Sequence, residues 1–167
     1  MNSSITLPQE KEVKELDSFE KGRLFEDYVV TLFNKRKFKL LEWRSDKIAS
    51  NGVMPESISY PDLEFLVMGK RPYRIAVECK WRRYIINGVI NWAKPHQIRE
   101  YLKFQYQNNV TVLVALGIGG SPSNPERLFV TPLDHMCIYK DIFESHLLPF
   151  KRNPAQSIDD SEQLKLF

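Results

Sequence analysis

Residues 59–83, SYPDLEFLVMGKRPYRIAVECKWRR, carry the pattern that decides the fold. Two apolar, β-prone runs, LEFLV and RIAVECKW, flank a turn signal at MGKRP, which predicts a β-hairpin. Side chains alternate faces along a strand, so Glu78 and Lys80 share one face while Val77, Cys79 and Trp81 take the other. With the turn centred near Lys70 or Arg71, Asp62 falls opposite roughly Cys79, within cross-strand reach of Glu78 and Lys80. The hairpin therefore brings two carboxylates and an ammonium together on strands otherwise apolar enough to be buried. Burying such charges without a use is costly.

The rest of the chain frames this hairpin. Phe25, Tyr28, Val29, Leu32 and Phe33 recur at helical spacing, predicting a helix from about Ser18 to Arg36 with Asp17 or Ser18 as its cap. KLLEWRS (39–45) reads as a first strand, and the polar stretch 46–59, with Asn51-Gly52, as a loop. Pro95 suits a first helical turn, and Ile98, Tyr101, Leu102 and Tyr106 then form one helical stripe. TVLVALGIG and RLFVTPL have the continuous apolar character of strands covered on both faces, and IYKDIFESHLLPF reads as a last helix. GIGGSPSNP lacks the spacing of a phosphate-cradling loop and reads as a connection between the last two strands. The order α-β-β-β-α-β-β-α predicts an α/β domain with one central mixed sheet flanked by helices.

With 167 residues, 43% hydrophobic and 12% aromatic, the chain has the size and apolar content of one folded domain. We expect that domain to span 1–150 and a flexible tail to span 151–167, because the composition turns polar at KRNPAQSIDDSEQ. No apolar run approaches a membrane span, and the expected location is cytoplasmic. Cys79 and Cys137 have neither disulfide nor zinc spacing and are expected to be buried thiols. His96, His135 and His146 are scattered and suggest no dyad. The net charge of +3 permits an anionic partner without demanding one. Basic residues gather at Lys35, Arg36, Lys37 and Lys39, at Arg82 and Arg83, and along Lys94, Arg99 and Lys103.

Two buried carboxylates with oxygen-only ligation and open positions suit Mg²⁺ or Mn²⁺, to which the Cys79 backbone carbonyl can add a further oxygen. Lys80 is then placed to orient an attacking water or to neutralise a phosphate. Glu64, on the same face as Asp62, is a further candidate ligand.

Pro61-Asp62 and Glu78-Cys79-Lys80 resemble the signature of the PD-(D/E)xK nuclease superfamily. Gly22-Arg23-Leu24-Phe25-Glu26 resembles the GxxFE element of Mrr-type restriction endonucleases and archaeal-type Holliday junction resolvases, and Gln97 to Tyr101 the QxxxY element of RecB-type nucleases. The resemblance covers about Gly22 to Phe104. It implies a restriction-endonuclease-like fold and a Mg²⁺-dependent deoxyribonuclease. In that reading Asp62, Glu78, Cys79 and Glu26 hold the metal, Lys80 assists the nucleophile, and Gln97 and Tyr101 support the site. Arg82, Arg83, Lys94, Arg99 and Lys103 are the expected backbone-phosphate contacts. Junction resolvases act as dimers, so a homodimer is compatible with the resemblance. Gln163-Leu164-Lys165-Leu166-Phe167 resembles the QLxLF motif by which bacterial replication and repair proteins dock on the sliding clamp. Gln163, Leu164, Leu166 and Phe167 are its expected contacts, which implies work in DNA repair, recombination or replication. The alternative reading is a non-catalytic DNA-binding or clamp-adaptor module on the same fold.

Overall fold

The computed structural model describes residues 15–44, 60–161 and 164. Helix α1 (Ser18–Leu32) starts at a reciprocal cap. Glu20 N donates to Asp17 Oδ1 at 2.8 Å, and Asp17 N donates to Glu20 Oε2 at 2.9 Å. Such a box stabilises a helix start by about 1 kcal/mol. Strands β1 (Phe38–Trp43), β2 (Leu63–Val67) and β3 (Tyr73–Arg82) follow, then α2 (Pro95–Asn108), β4 (Thr111–Ile118) and β5 (Arg127–Pro132). Two short helices, α3 (Leu133–Met136) and α4 (Glu144–Leu147), and a 3-10 turn at Leu148–Phe150 lead into β6 (Lys151–Arg152).

The strands form one sheet in the order β1-β2-β3-β4-β5-β6. All neighbours are antiparallel except the central pair β3 and β4, which run parallel across α2. The expected mixed sheet flanked by helices is thus observed. Alternation sorts the core onto two faces: Leu63, Phe65, Val77, Cys79 and Ala115 pack with Phe25 and Val29 of α1, and Ala76, Val112, Val114 and Leu116 with Tyr101 and Phe104 of α2. Gly117 permits the close approach of α1, since a Cβ there would lie 2.5 Å from the Phe25 ring.

Three expectations change. First, the helix expected at 138–150 is confined to α4. Ile142 and Phe143 are drawn into extended pairing instead: Ile90 N donates to Ile142 O at 2.8 Å, and Val89 bridges Phe143. Second, the chain does not leave the domain at residue 151. Lys151 and Arg152 extend the sheet beside β5, Ile158 bridges Phe33, and both Ile158 and Leu164 are buried in the core under α1. The polar composition of 151–161 hid Ile158, a single apolar anchor. Third, Cys137 is exposed, whereas Cys79 is buried as expected. The expected 46–59 loop lies outside the described residues, apart from its flanks.

Candidate active site

Strand β2 pairs with β3 in the register Leu63 to Val77, so Asp62, one residue ahead of β2, meets Glu78 and Cys79. Asp62 Oδ2 accepts a hydrogen bond from Cys79 N at 2.8 Å, which ties the carboxylate to the strand carrying Glu78 and Lys80. Glu78 is fully buried, and its Oε1 receives both the Lys80 ammonium and the Tyr101 hydroxyl at 2.7 Å. A cation and a hydroxyl on one carboxylate oxygen offset the cost of taking that charge out of water. Burial first, and Glu78 second, push the Tyr101 hydroxyl far above its ordinary pKa, so it remains a donor.

Asp62, Glu78, Cys79 and Lys80 line a cleft of about 460 Å³ whose other wall is α1, through Phe19, Gly22, Arg23 and Glu26. Helix α1 thus delivers Glu26 to the cleft, next in sequence to the buried Phe25 that fixes the helix on the sheet. Glu26 Oε2 accepts from Trp43 Nε1 at 3.0 Å. Among the described residues, no three His, Cys, Asp or Glu side chains form a group that would hold a metal ion. Asp62 and Glu78 are therefore a pair at the floor of the cleft, and Glu26 stands on its wall.

Several expected residues take other places. Glu64 does not line the cleft; it is bound by Arg44 and lies 3.7 Å from Arg74. Its carboxylate is neutralised inside the protein, which removes it from the candidate ligands. Gln97 closes the start of α2, its Oε1 accepting from Lys94 N at 2.9 Å, while Tyr101 one turn later reaches Glu78. Arg82 spends its guanidinium on protein backbone: Nε donates to Asn91 O at 2.8 Å, Nη1 to Trp81 O at 3.0 Å and Nη2 to Trp92 O at 2.6 Å. Burial lowers its pKa. Arg82 is thus a structural clasp rather than a ready phosphate ligand. Arg83 lines the cleft and pairs with Glu15 at 3.3 Å. Lys94, Arg99 and Lys103 are exposed on α2 but do not line the cleft. Of the clamp-motif residues, Gln163, Leu166 and Phe167 lie outside the described residues, and Leu164 is buried.

Two residues of the site were not anticipated. Trp43 orients Glu26, and Arg44 holds the segment that presents Asp62. Arg44 N donates to Asp62 O and Arg44 Nη1 to Pro61 O, each at 2.8 Å. Its guanidinium lies 5.3 Å from the Tyr60 ring centroid and 5.8 Å from that of Phe104. Both residues sit at the end of β1, where an apolar ring followed by a cation resembles any strand exit.

The same sheet and flanking helices occur in a solved structure. Hjc from Archaeoglobus fulgidus, a Holliday junction resolvase from an archaeal hyperthermophile, superposes with a TM-score of 0.50 at 20% identity, covering 80% of this chain and 95% of its own. The fold is restriction-endonuclease-like. No protein-family model matches the chain, and no curated protein sequence does.

Proposed function

We propose that the protein is a metal-dependent nuclease that hydrolyses phosphodiester bonds of DNA. The observation that carries this reading is the open cleft floored by Asp62, Glu78 and Lys80, three ionisable groups set at the end of an apolar hairpin. A fold shared with a junction resolvase supports it and makes branched DNA the first substrate to test.

The donor set fits Mg²⁺ or Mn²⁺. Mg²⁺ takes oxygen ligands, keeps several waters and requires only one or two carboxylates, which is what Asp62 and Glu78 offer. The Cys79 carbonyl would add a third oxygen, and Glu26 would act from the cleft wall. A metal bound there would polarise a phosphoryl oxygen and acidify a water. The chain's own residues do the rest: Tyr101 and Lys80 fix the Glu78 carboxylate, Cys79 N and Arg44 fix Asp62, and the Lys80 ammonium faces the cleft to stabilise charge building on the phosphate. Arg83, with Lys21 and Arg23 on the same cleft, would supply cations for a neighbouring phosphate. Arg99, Lys94 and Lys103 would extend contact with the DNA backbone along α2.

The test is cleavage of four-way junction, flapped, nicked, single-stranded and linear duplex DNA, with Mg²⁺, with Mn²⁺ and with chelator. Metal-dependent cleavage lost in Asp62→Asn and Lys80→Met is expected. Binding without cleavage under every condition would instead make the chain a DNA-binding module.

Recruitment to the sliding clamp through Gln163, Leu164, Leu166 and Phe167 belongs to the same proposal. Docking an extended peptide would require Leu164 to leave the core, so the engaged and packed forms of the tail exclude one another. Clamp binding should fall in Leu166→Ala with Phe167→Ala; equal binding by this variant and the intact chain would overturn it.

A further inference from the structure

Residues 83–91 leave the end of β3 and return beside it as a loop held at three points. At its base, the Arg82 guanidinium bonds the carbonyls of Trp81, Asn91 and Trp92. Along its returning limb, Val89 and Ile90 pair with Phe143 and Ile142. At its tip, Val89 N donates to Ile86 O at 3.0 Å across Asn87 and Gly88, whose φ values are 53° and 75°. Positive φ at both central residues is the tight primed turn that matches strand twist, and Asn-Gly is the pair that adopts it most readily. This clasped loop holds two of its large apolar side chains in water: Tyr84 is 73% exposed and Ile86 64%. An apolar surface displayed on a fixed scaffold is preorganised for contact, because little ordering remains to be done on binding.

The location identifies the occupant. Arg83 lines the acidic cleft and also an adjoining cleft of about 720 Å³ lined by Tyr84, Ile85, Gly119, Gly120 and Arg127. Tyr84 follows Lys80 by four residues, so their Cα atoms are at most about 14 Å apart. That spans about four base steps of duplex DNA. A strand whose phosphate lies over Asp62 and Glu78 therefore brings its neighbouring nucleotides to Tyr84. Phosphates do not stack on a phenol ring; bases do, and a base presents its face only where it is unpaired.

We propose that Tyr84, supported by Ile86, stacks on an unpaired DNA base a few nucleotides from the phosphate in the acidic cleft. The substrate class is then DNA with a gap, end or branch rather than continuous duplex. This rests on the nuclease reading for the path of the strand, but binding tests it separately from cleavage.

The intact chain is titrated, with chelator present, against two DNAs of equal length and charge. One is fully paired; the other carries a short unpaired segment containing 2-aminopurine. Wild type should prefer the unpaired DNA and quench the 2-aminopurine. Tyr84→Ala should weaken that complex roughly five- to a hundredfold, the range seen for loss of one base-aromatic stack. The same change should leave paired-duplex affinity within about twofold, and Tyr84→Phe should behave as wild type because it keeps the ring. An unchanged preference in Tyr84→Ala, or an equal loss in Tyr84→Phe, overturns the proposal. Tyr84-dependent stacking in a chain that cleaves no DNA upholds it and removes the nuclease reading; cleavage indifferent to Tyr84 does the reverse. Failure to bind either DNA overturns both.

Discussion

Asp62 and Glu64 are two acids on one short segment, both nearly inaccessible, at 2% and 4% exposure, and the protein treats them differently. Glu64 is enclosed by Arg44 and Arg74 and stands away from the cleft. Asp62 accepts from a backbone amide and lines the cleft beside Glu78 and Lys80. Burial and residue type therefore do not distinguish a carboxylate paired inside the protein from one presented to a cleft. What separates them is whether the compensating charge is supplied by the protein on the closed side, or whether the acid stands where a ligand from solvent can reach it. Arg44 serves both: it neutralises Glu64 with its side chain and fixes the backbone of Pro61 and Asp62.

The comparison is broken most directly by neutralising each acid. Asp62→Asn should lower metal-dependent cleavage by at least about a hundredfold, as losses of a directly acting polar group do, with a melting temperature near that of wild type. Glu64→Gln should do the opposite: stability falls by about 3 kcal/mol because Arg44 is left buried without its partner, while cleavage per folded molecule is retained. Denaturant melts and single-turnover cleavage on both variants read the two effects, and the same pattern in both would erase the distinction.

A second change tests how far the acidic site depends on its supports. Tyr101→Phe removes the hydroxyl donated to Glu78 and should weaken metal affinity about tenfold or more, read by titrating Mg²⁺ against cleavage rate. Smaller still is Gly22→Ala on the α1 wall. No neighbour lies within 4 Å of the added Cβ, so the helix should gain about 0.5–1 kcal/mol. If the substrate backbone passes over Gly22, cleavage should fall although the fold is firmer; a gain in stability with undiminished cleavage would remove Gly22 from the substrate path.

The smallest effect lies far from the cleft. Burial raises Tyr28 to about 12, and its hydroxyl donates to Pro154 O at 2.6 Å. A folded pKa above the unfolded value means that this contribution is full below about pH 10 and declines as pH rises to about 12. Tyr28→Phe should flatten the alkaline limb of a stability-against-pH curve and, by removing the bond to Pro154 O, lower the neutral plateau by about 1 kcal/mol or less.

Much of this architecture is legible in the residues. The runs LEFLV, RIAVECKW and TVLVALGI lie in strands β2, β3 and β4, because a buried strand needs an apolar run and the chain supplies it between turn signals. Glu26 and Tyr101 are legible near the hairpin through the GxxFE and QxxxY resemblance, and helical spacing puts Tyr101 on one stripe with Ile98 and Leu102. The two-residue strand β6 has no period to detect, and Ile158 is one apolar residue in a polar stretch. Arg82 and Arg83 are adjacent, identical in type and both line the cleft, yet only Arg82 clasps a loop with its guanidinium. That difference depends on carbonyls nine and ten residues further on, at Asn91 and Trp92, and no local pattern encodes it.

The bridge between Phe33 and Ile158, with Asn34 N donating to Ile158 O and Ile158 N to Leu32 O, ties the end of the first helix to a segment made far later. Contacts between residues so distant in sequence form slowly and close late in folding. On a ribosome, α1 cannot take its final anchor until residue 158 has emerged, although the hairpin bearing Asp62, Glu78 and Lys80 is complete long before. The cleft wall that carries Glu26 is thus fully secured only after Ile158 has been made, and a chain truncated before Ile158 would hold that wall by the Phe25 and Val29 packing alone.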